Sequence, residues 1–363
     1  LERSVTVATP PGSQRSPRTG VTSAGNADAT VRRRRRRLVG LIVLLLVLTA
    51  AVLASIAIGS KPIALPEVWH ALTSPTGTED DIVIGSLRLP RTMLGLAVGI
   101  ALGVAGALMQ GHTRNPLADP GLLGVNQGAA FAIVLSIFML RTDDIYTLVW
   151  FGFAGALVAT VAVFALGSVG RGGPTPVTLA LAGAAISALL YALTSALVLL
   201  DAQSLEAFRF WRSGSLAGRD PDIVLQVLPF LIAGLVLALI NSPGLNALSL
   251  GEDVARSLGQ SVLLTRVIGI AAVTLLTGAA VSACGPIGFV GLVVPHMARA
   301  ITGPDYRWLL PYSGLLGAIM LLVADVVGRV VARPGELQVG IMLALIGAPF
   351  FLILVRRRRL VRL

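Results

Sequence analysis

Apolar runs of membrane-crossing length recur through this chain at 38–58, 91–110, 121–140, 146–167, 177–200, 223–241, 263–284, 286–301, 309–328 and 339–355. A bilayer's hydrocarbon core is crossed by about 20 apolar residues in helical form. No water is available there for backbone groups, so helices, which bond their own N–H and C=O groups, are the expected element. The charged fraction of 13% is far below the usual quarter of a soluble domain, and the mean hydropathy is +0.83. These features predict an all-α polytopic membrane protein of ten spans. The eighth run is short and broken by Pro286, Gly288, Gly291 and Pro295. A single cysteine, Cys284, excludes an intrachain disulfide and a CxxC metal site.

The ends carry the charge. Residues 1–31 are rich in Ser, Thr, Gly and Pro and lack apolar periodicity, which predicts an unstructured tail. Six arginines at 32–37 follow, and the apolar run after them is too long for a signal peptide. The division expected is a basic N-terminal tail, 1–37, and a ten-span domain, 38–363. Arginines mark the cytoplasmic side of spans. Ten crossings return the chain to that side, where Arg356 to Arg359 and Arg362 lie. Both termini are therefore expected in the cytoplasm of a cell whose inner membrane the chain crosses repeatedly, with lipid as its surrounding partner. The net charge of +11 belongs to this topology. Basic and aromatic residues do not interleave on one soluble element, so nucleic acid is not an expected partner.

Between the second and third runs the chain reads GHTRNPLADPGLLG (111–124), polar and proline-broken. The preceding GLAVGIALGVAGALMQ has a counterpart in IGIAAVTLLTGAAVSA, which leads into CGPIGFVGLVVP. Entered from opposite sides, the two copies read as an inverted repeat, common in transporters. Gly95, Gly99 and Gly103 form a double GxxxG, the spacing that lets helix backbones approach closely, which places the second span in the bundle centre. Asp325 and Arg329 stand four residues apart in one span, on one helix face, and are expected to satisfy each other. His296 is expected to be a satisfied structural histidine. The segment LNALSLGEDVARSLG (245–259), within a cytoplasmic loop of about 242–262, is amphipathic but not basic. Leu245, Leu248, Leu250, Val254 and Leu258 form the apolar face, with Glu252, Asp253 and Arg256 exposed. A lipid-surface helix favours Lys and Arg on its polar face, so a short helix pair docking into a partner protein is expected. No GxxxxGK[ST] is present, so the chain has no phosphate cradle of that kind.

RLPRTMLGLAVGIALGVAGALMQ, RNPLADPGLLGVNQGAA, LALAGAAISAL, LNALSLGEDVARSLG, GPIGFVGLVVPHMARAITGPDYR, LLVADVVGR and ELQVGIMLALIGAPFFLILVRR occur in this order. Together they resemble the permease subunits of type II ABC importers, which take up iron–siderophore complexes, haem and cobalamin. The resemblance covers the chain from about residue 38 onward. It implies a transport subunit without an ATPase site of its own and with no bound cofactor. A cytoplasmic ABC ATPase dimer would carry ATP, an extracytoplasmic substrate-binding protein would deliver the chelate, and a second permease copy or paralogue would complete the pathway. It also implies roles at matching positions. Arg88, Arg91 and Arg329 would meet glutamates of the binding protein at the outer face. Leu250, Gly251, Glu252, Arg256 and Gly259 would seat on the ATPase. Asn115 and Leu117 would form a cytoplasmic gate, with Thr175 at a second gate segment. There PTPV (174–177) departs from the family's small hydroxyl residues, and Gln338 stands where a proline is common.

Ferric siderophore is the expected cargo, with cobalamin and haem as alternatives. An ion-coupled secondary transporter using Asp325 is the competing class; it would need no docking loop and would hold its carboxylate near the midplane. An intramembrane enzyme lacks a nucleophile–base pair.

Overall fold

The computed structural model describes residues 23–59, 61–169 and 174–356. The first helix, α1 (Ser23–Ala57), starts well before the apolar run and takes in the six arginines. The tail expected to be unstructured is thus helical from Ser23, and only its residues 1–22 lie outside the described residues. Extending a helix that the apolar run has already nucleated adds one bond per residue fixed, and Ala and Arg are good helix formers.

Short elements follow: α2 (Leu65–Thr73), α3 (Glu79–Ile82) and a π-helical turn, Val83–Arg88, which runs directly into α4 (Leu89–Thr113). Pro90 sits in the first turn of α4, where its missing N–H is not needed. The chain continues through α5 (Val125–Leu140), α6 (Ile145–Gly167), α7 (Pro176–Leu200), α8 (Ala202–Arg212) and α9 (Pro221–Leu248). It then forms α10 (Glu252–Ser257), α11 (Val262–Cys284), α12 (Val290–Thr302), α13 (Tyr306–Val331) and α14 (Val339–Arg356). Among the described residues, seven helices are long and apolar enough to cross a membrane, and the shorter α5, α12 and α14 bring the apolar segments to the ten expected.

The ends of the bundle are marked by two arginines. At one, Arg37 donates to the Thr302 carbonyl (2.6 Å) at the close of α12. At the other, Arg88 reaches the last carbonyls of α1. Helices α4 and α11 run in opposite directions between these ends and are the most buried of the long helices. Each leads into a proline- and glycine-broken segment and then a short helix, α5 or α12, as the repeat in the sequence predicts. In the packing, α4 lies chiefly on α13, and α11 chiefly on α9.

The glycines of α4 set its place. A Cβ on Gly99 would stand 2.6 Å from the Ala318 Cα. One on Gly103 would stand 2.1 Å from the Ser313 carbonyl oxygen, and one on Gly106 equally close to that of Gly291. Backbone meets backbone along this stripe, so no side chain can yield. The expected outcome for Gly103→Ala is a loss of about 1–3 kcal/mol, the usual cost of overpacking, read as a lowered unfolding midpoint in detergent. Gly85→Ala, where a Cβ meets nothing within 4 Å, should leave that midpoint unchanged.

Candidate functional site

At the Arg88 end a cavity of about 1000 Å³ opens, lined by Lys61, Arg88, Arg91, Arg219, Arg329 and Glu336 among others. The sequence predicts three outward arginines here, and the structure corrects the form of that expectation. Arg88 is 5% exposed and Arg329 2%. Arg88 donates to the carbonyls of Ile56 (2.7 Å), Ala57 (2.8 Å) and Lys61. Arg329 donates to the carbonyls of Ser55 (2.9 Å) and Ile58 (2.8 Å) and to Ser55 Oγ (3.1 Å). These guanidinium groups cap the end of α1, whose last carbonyls have no partner within the helix. They face the cavity but do not protrude from the protein.

Asp325 is bound to Arg329 at 3.0 Å, as the i,i+4 spacing predicts. It is also bound by Arg91, at 2.7 Å through Nη2 and 3.0 Å through Nε, and Arg91 reaches Glu336 at 2.6 Å. The fork of Arg91 joins α4 to α13, two elements far apart in sequence. Removing one partner of a buried ion pair strands the other charge, at a cost of about 3–5 kcal/mol. Asp325→Asn is expected to lose stability of that order in chemical unfolding. Glu336→Gln, whose parent side chain is a third exposed, should cost less than about 1 kcal/mol.

At the Arg37 end the polar interruption has a defined shape. Arg114 ends α4 in the left-handed region (φ 49°). Asn115 Oδ1 then accepts from the Leu117 N–H (3.0 Å), and Asp119 Oδ1 from the Gly121 N–H (2.8 Å). These side-chain turns satisfy backbone groups that neither helix can. Burial raises the Asp119 carboxyl above its ordinary pKa. Thr175 begins α7: its Oγ1 accepts from the Thr178 N–H (3.1 Å), and its own N–H donates to Thr178 Oγ1 (2.9 Å). Its hydroxyl is therefore engaged as a helix cap, with Pro176 in the first turn. Asn115 and Leu117 lie on one segment and Thr175 on another, at the same end of the bundle.

The docking segment differs from its expected helix pair. Residues 245–248 are the last turn of α9, and only Glu252–Ser257 forms a separate helix. Leu245 and Leu248 are buried, so they belong to the bundle's own packing. Leu250, Val254 and Leu258 are exposed and keep the apolar face. Gly251 (φ 116°) and Gly259 (φ 79°), in a region that L side chains rarely adopt, set the two bends around α10. The acidic pair divides: Asp253 is fully exposed, whereas Glu252 turns inward to Arg266, Arg256 and Arg114.

Five polar side chains, in three separate sets, are buried here. Arg266, in the second turn of α11, is held by Glu252 and donates to the Pro174 carbonyl. Arg299 donates to Gln110 Oε1 (3.2 Å), and Gln110 Nε2 donates to the Leu292 carbonyl (3.1 Å). His112 Nε2 meets Asn241 Nδ2 at 3.0 Å. For Arg266, Arg299 and Gln110 the available signal was a lone polar residue in or beside an apolar run, whereas His112 lies in the polar stretch already marked by the sequence. His296 is buried in α12, and its Nδ1 has no partner among the described residues, unlike the satisfied histidine expected.

Seven helices of membrane-crossing length and three shorter apolar ones, with a charged cavity at one end, are the frame of a polytopic membrane protein. The chain belongs to the FecCD transport family, which it matches over residues 45–357. It is 48% identical over 312 residues to the ferric enterobactin transport system permease FepD of Escherichia coli (strain K12), covering 86% of this chain and 93% of that protein. It is 43% identical over 310 residues to the probable siderophore transport system permease YfiZ of Bacillus subtilis (strain 168), covering 85% and 93%. A solved inward-facing structure of a metal-chelate type ABC transporter superposes with a TM-score of 0.76 at 31% identity, covering 87% of this chain and 98% of that one. The chain is a permease subunit of an ABC importer, embedded in the membrane through its apolar helices.

Proposed function

We propose that this permease carries a ferric siderophore inward across the cytoplasmic membrane, driven by a cytoplasmic ABC ATPase dimer and supplied by an extracytoplasmic substrate-binding protein. The observation that carries the reading is the exposed apolar set on and beside α10 at one end of the bundle: Val254 within the helix, Leu258 at its C-terminal cap and Leu250 just before the Gly251 bend. Exposed apolar residues grouped on a projecting element mark a protein contact. The ATPase supplies ATP binding and hydrolysis, and the chain needs no cofactor of its own. The pathway is completed by a second permease copy or paralogue.

The Arg37 end is the cytoplasmic one, in keeping with the arginine run there. Asn115, Leu117 and the start of α7 at Thr175 form the gate at this end. The cavity at the Arg88 end receives the binding protein. Arg88, Arg91 and Arg329 contribute charge to its wall, although their terminal guanidinium nitrogens are already bonded within the chain. Charge reversal at Arg88 would therefore release the end of α1 as well as any docked acidic residue.

Asp325 supports the importer over an ion-coupled carrier. Both of its carboxylate oxygens are engaged by the guanidinium groups of Arg91 and Arg329, which leaves no free ligand for a carried cation. Siderophore is favoured as cargo because FepD and YfiZ are named for ferric enterobactin and siderophore transport. A 42% identical relative from Halobacterium salinarum is named for cobalamin import, so cobalamin is the second cargo to test, followed by haem.

Reconstitution with the ATPase and binding protein, followed by uptake of radiolabelled iron as ferric siderophore, tests the reading. Uptake that requires ATP is expected, and cobalamin uptake in its place would reassign the cargo. Leu250→Asp is expected to lower ATPase co-purification by about tenfold or more, because a charge replaces an apolar contact in a desolvated interface, with membrane levels of the permease unchanged. Single cysteines in a Cys284→Ala background test orientation. Thr78→Cys should react with an impermeant reagent from outside, and Gln260→Cys only from the cytoplasmic face.

A further inference from the structure

Glu252 stands in the first turn of α10 yet does not share the exposed face of that helix. Its carboxylate binds Arg266 of α11 and lies 3.8 Å from Nη2 of Arg114 and 3.6 Å from Nη2 of Arg256. Arg266 is 6% exposed, and its other terminal nitrogen donates to the carbonyl of Pro174, the residue before the cap of α7. Arg114 in turn is the left-handed residue that opens the Asn115 turn. One carboxylate on the projecting helix is thus joined to both segments that stand at this end of the bundle. It reaches the Asn115 segment through Arg114, and the Pro174 segment through Arg266.

The two links differ in strength. The Arg114 contact is long, and both side chains are substantially exposed, so it is screened and weak. Arg266 is buried and makes two charge-assisted or carbonyl bonds with one planar group. Bonds of this kind are short, directional and strong. A guanidinium bonded at both ends passes a displacement of one partner to the other, because it is planar and its terminal nitrogens are fixed relative to each other. Pro174 donates no N–H, so its carbonyl is the backbone group through which its position can be pulled.

We propose that Arg266 is the positioning residue that couples α10 to the start of α7, so that movement of the ATPase-seated helix is passed through Glu252 and Arg266 to the Pro174 carbonyl and opens or closes the gate there. The proposal rests on the reading of α10 as the ATPase contact. It assigns Glu252 inward, to the relay, and leaves the ATPase surface to Leu250, Val254 and Leu258.

The test uses the complete transporter in proteoliposomes, with ATPase and binding protein, and Val177→Cys in a Cys284→Ala background as a gate reporter. Val177 is exposed in the first turn of α7. Labelling by an impermeant maleimide is measured with and without a non-hydrolysable ATP analogue, beside uptake, ATP hydrolysis and ATPase retention. Arg266→Gln is expected to lower uptake by about tenfold, within the usual range of coupling between sites. It should also remove the nucleotide-dependent change in labelling while the ATPase stays bound and hydrolyses ATP. Arg266→Lys should fall between, since an ammonium lacks the fork that bridges two acceptors. Glu252→Gln combined with Arg266→Gln should cost no more than Arg266→Gln alone, because both break one link.

A nucleotide-dependent labelling change that persists in Arg266→Gln would overturn the proposal. So would additive losses in the double variant, or a fall in uptake that only follows loss of the ATPase from the complex. A parent transporter that retains no ATPase would overturn the importer reading itself, which separates that failure from failure of the relay.

Discussion

The backbone contact between α4 and α13 is the constraint on which the rest depends. Membrane helices gain nothing from hiding apolar surface from lipid, so they are held by close packing and by polar bonds between them. Gly99, Gly103 and Gly106 remove side chains where α4 crosses α13 and α12, and the helices meet at distances that no Cβ would permit. Once α4 is fixed there, Arg91 is carried to Asp325 at one end, and Gln110 to Arg299 and Leu292 at the other.

The charges then divide by function. At the Arg88 end they close the structure. Three arginines bond helix-end carbonyls and carboxylates, so a mostly apolar chain terminates α1 without leaving acceptors stranded. At the Arg37 end the charges join α10 to the neighbouring helices. The Glu252 carboxylate sits on a six-residue helix between glycine bends and reaches Arg114 at the end of α4 and Arg266 near the start of α11. Rigid helices carrying short, bonded connectors suit a protein that must open at one end while its core stays packed.

The polar interruption at NPLADP fits this division. Its asparagine and aspartate side chains bond nearby backbone N–H groups, and Asp119 caps the single 3-10 turn, Pro120–Leu123, that links α4 to α5. Thr175 does the same for α7. Residues that the resemblance assigns to a gate thus also hold the local backbone in place, and a substitution there acts on both.

Span number, the central place of α4, the broken eighth run and the Asp325–Arg329 pair were legible in the sequence, because each follows from local composition or helical spacing. The extent of α1, the exposure of the arginines and the division of 245–259 were not. An arginine in RLPR has the same local pattern whether it faces water or a carbonyl, and Leu245 matches Leu250 in hydropathy. Only the packing decides that the first is buried and the second exposed. The pairings Arg91–Asp325, Arg266–Pro174 and Gln110–Arg299 join residues 92 to 234 positions apart. Periodicity carries information over a turn or two of helix, so partners at that separation are chosen by the tertiary structure alone.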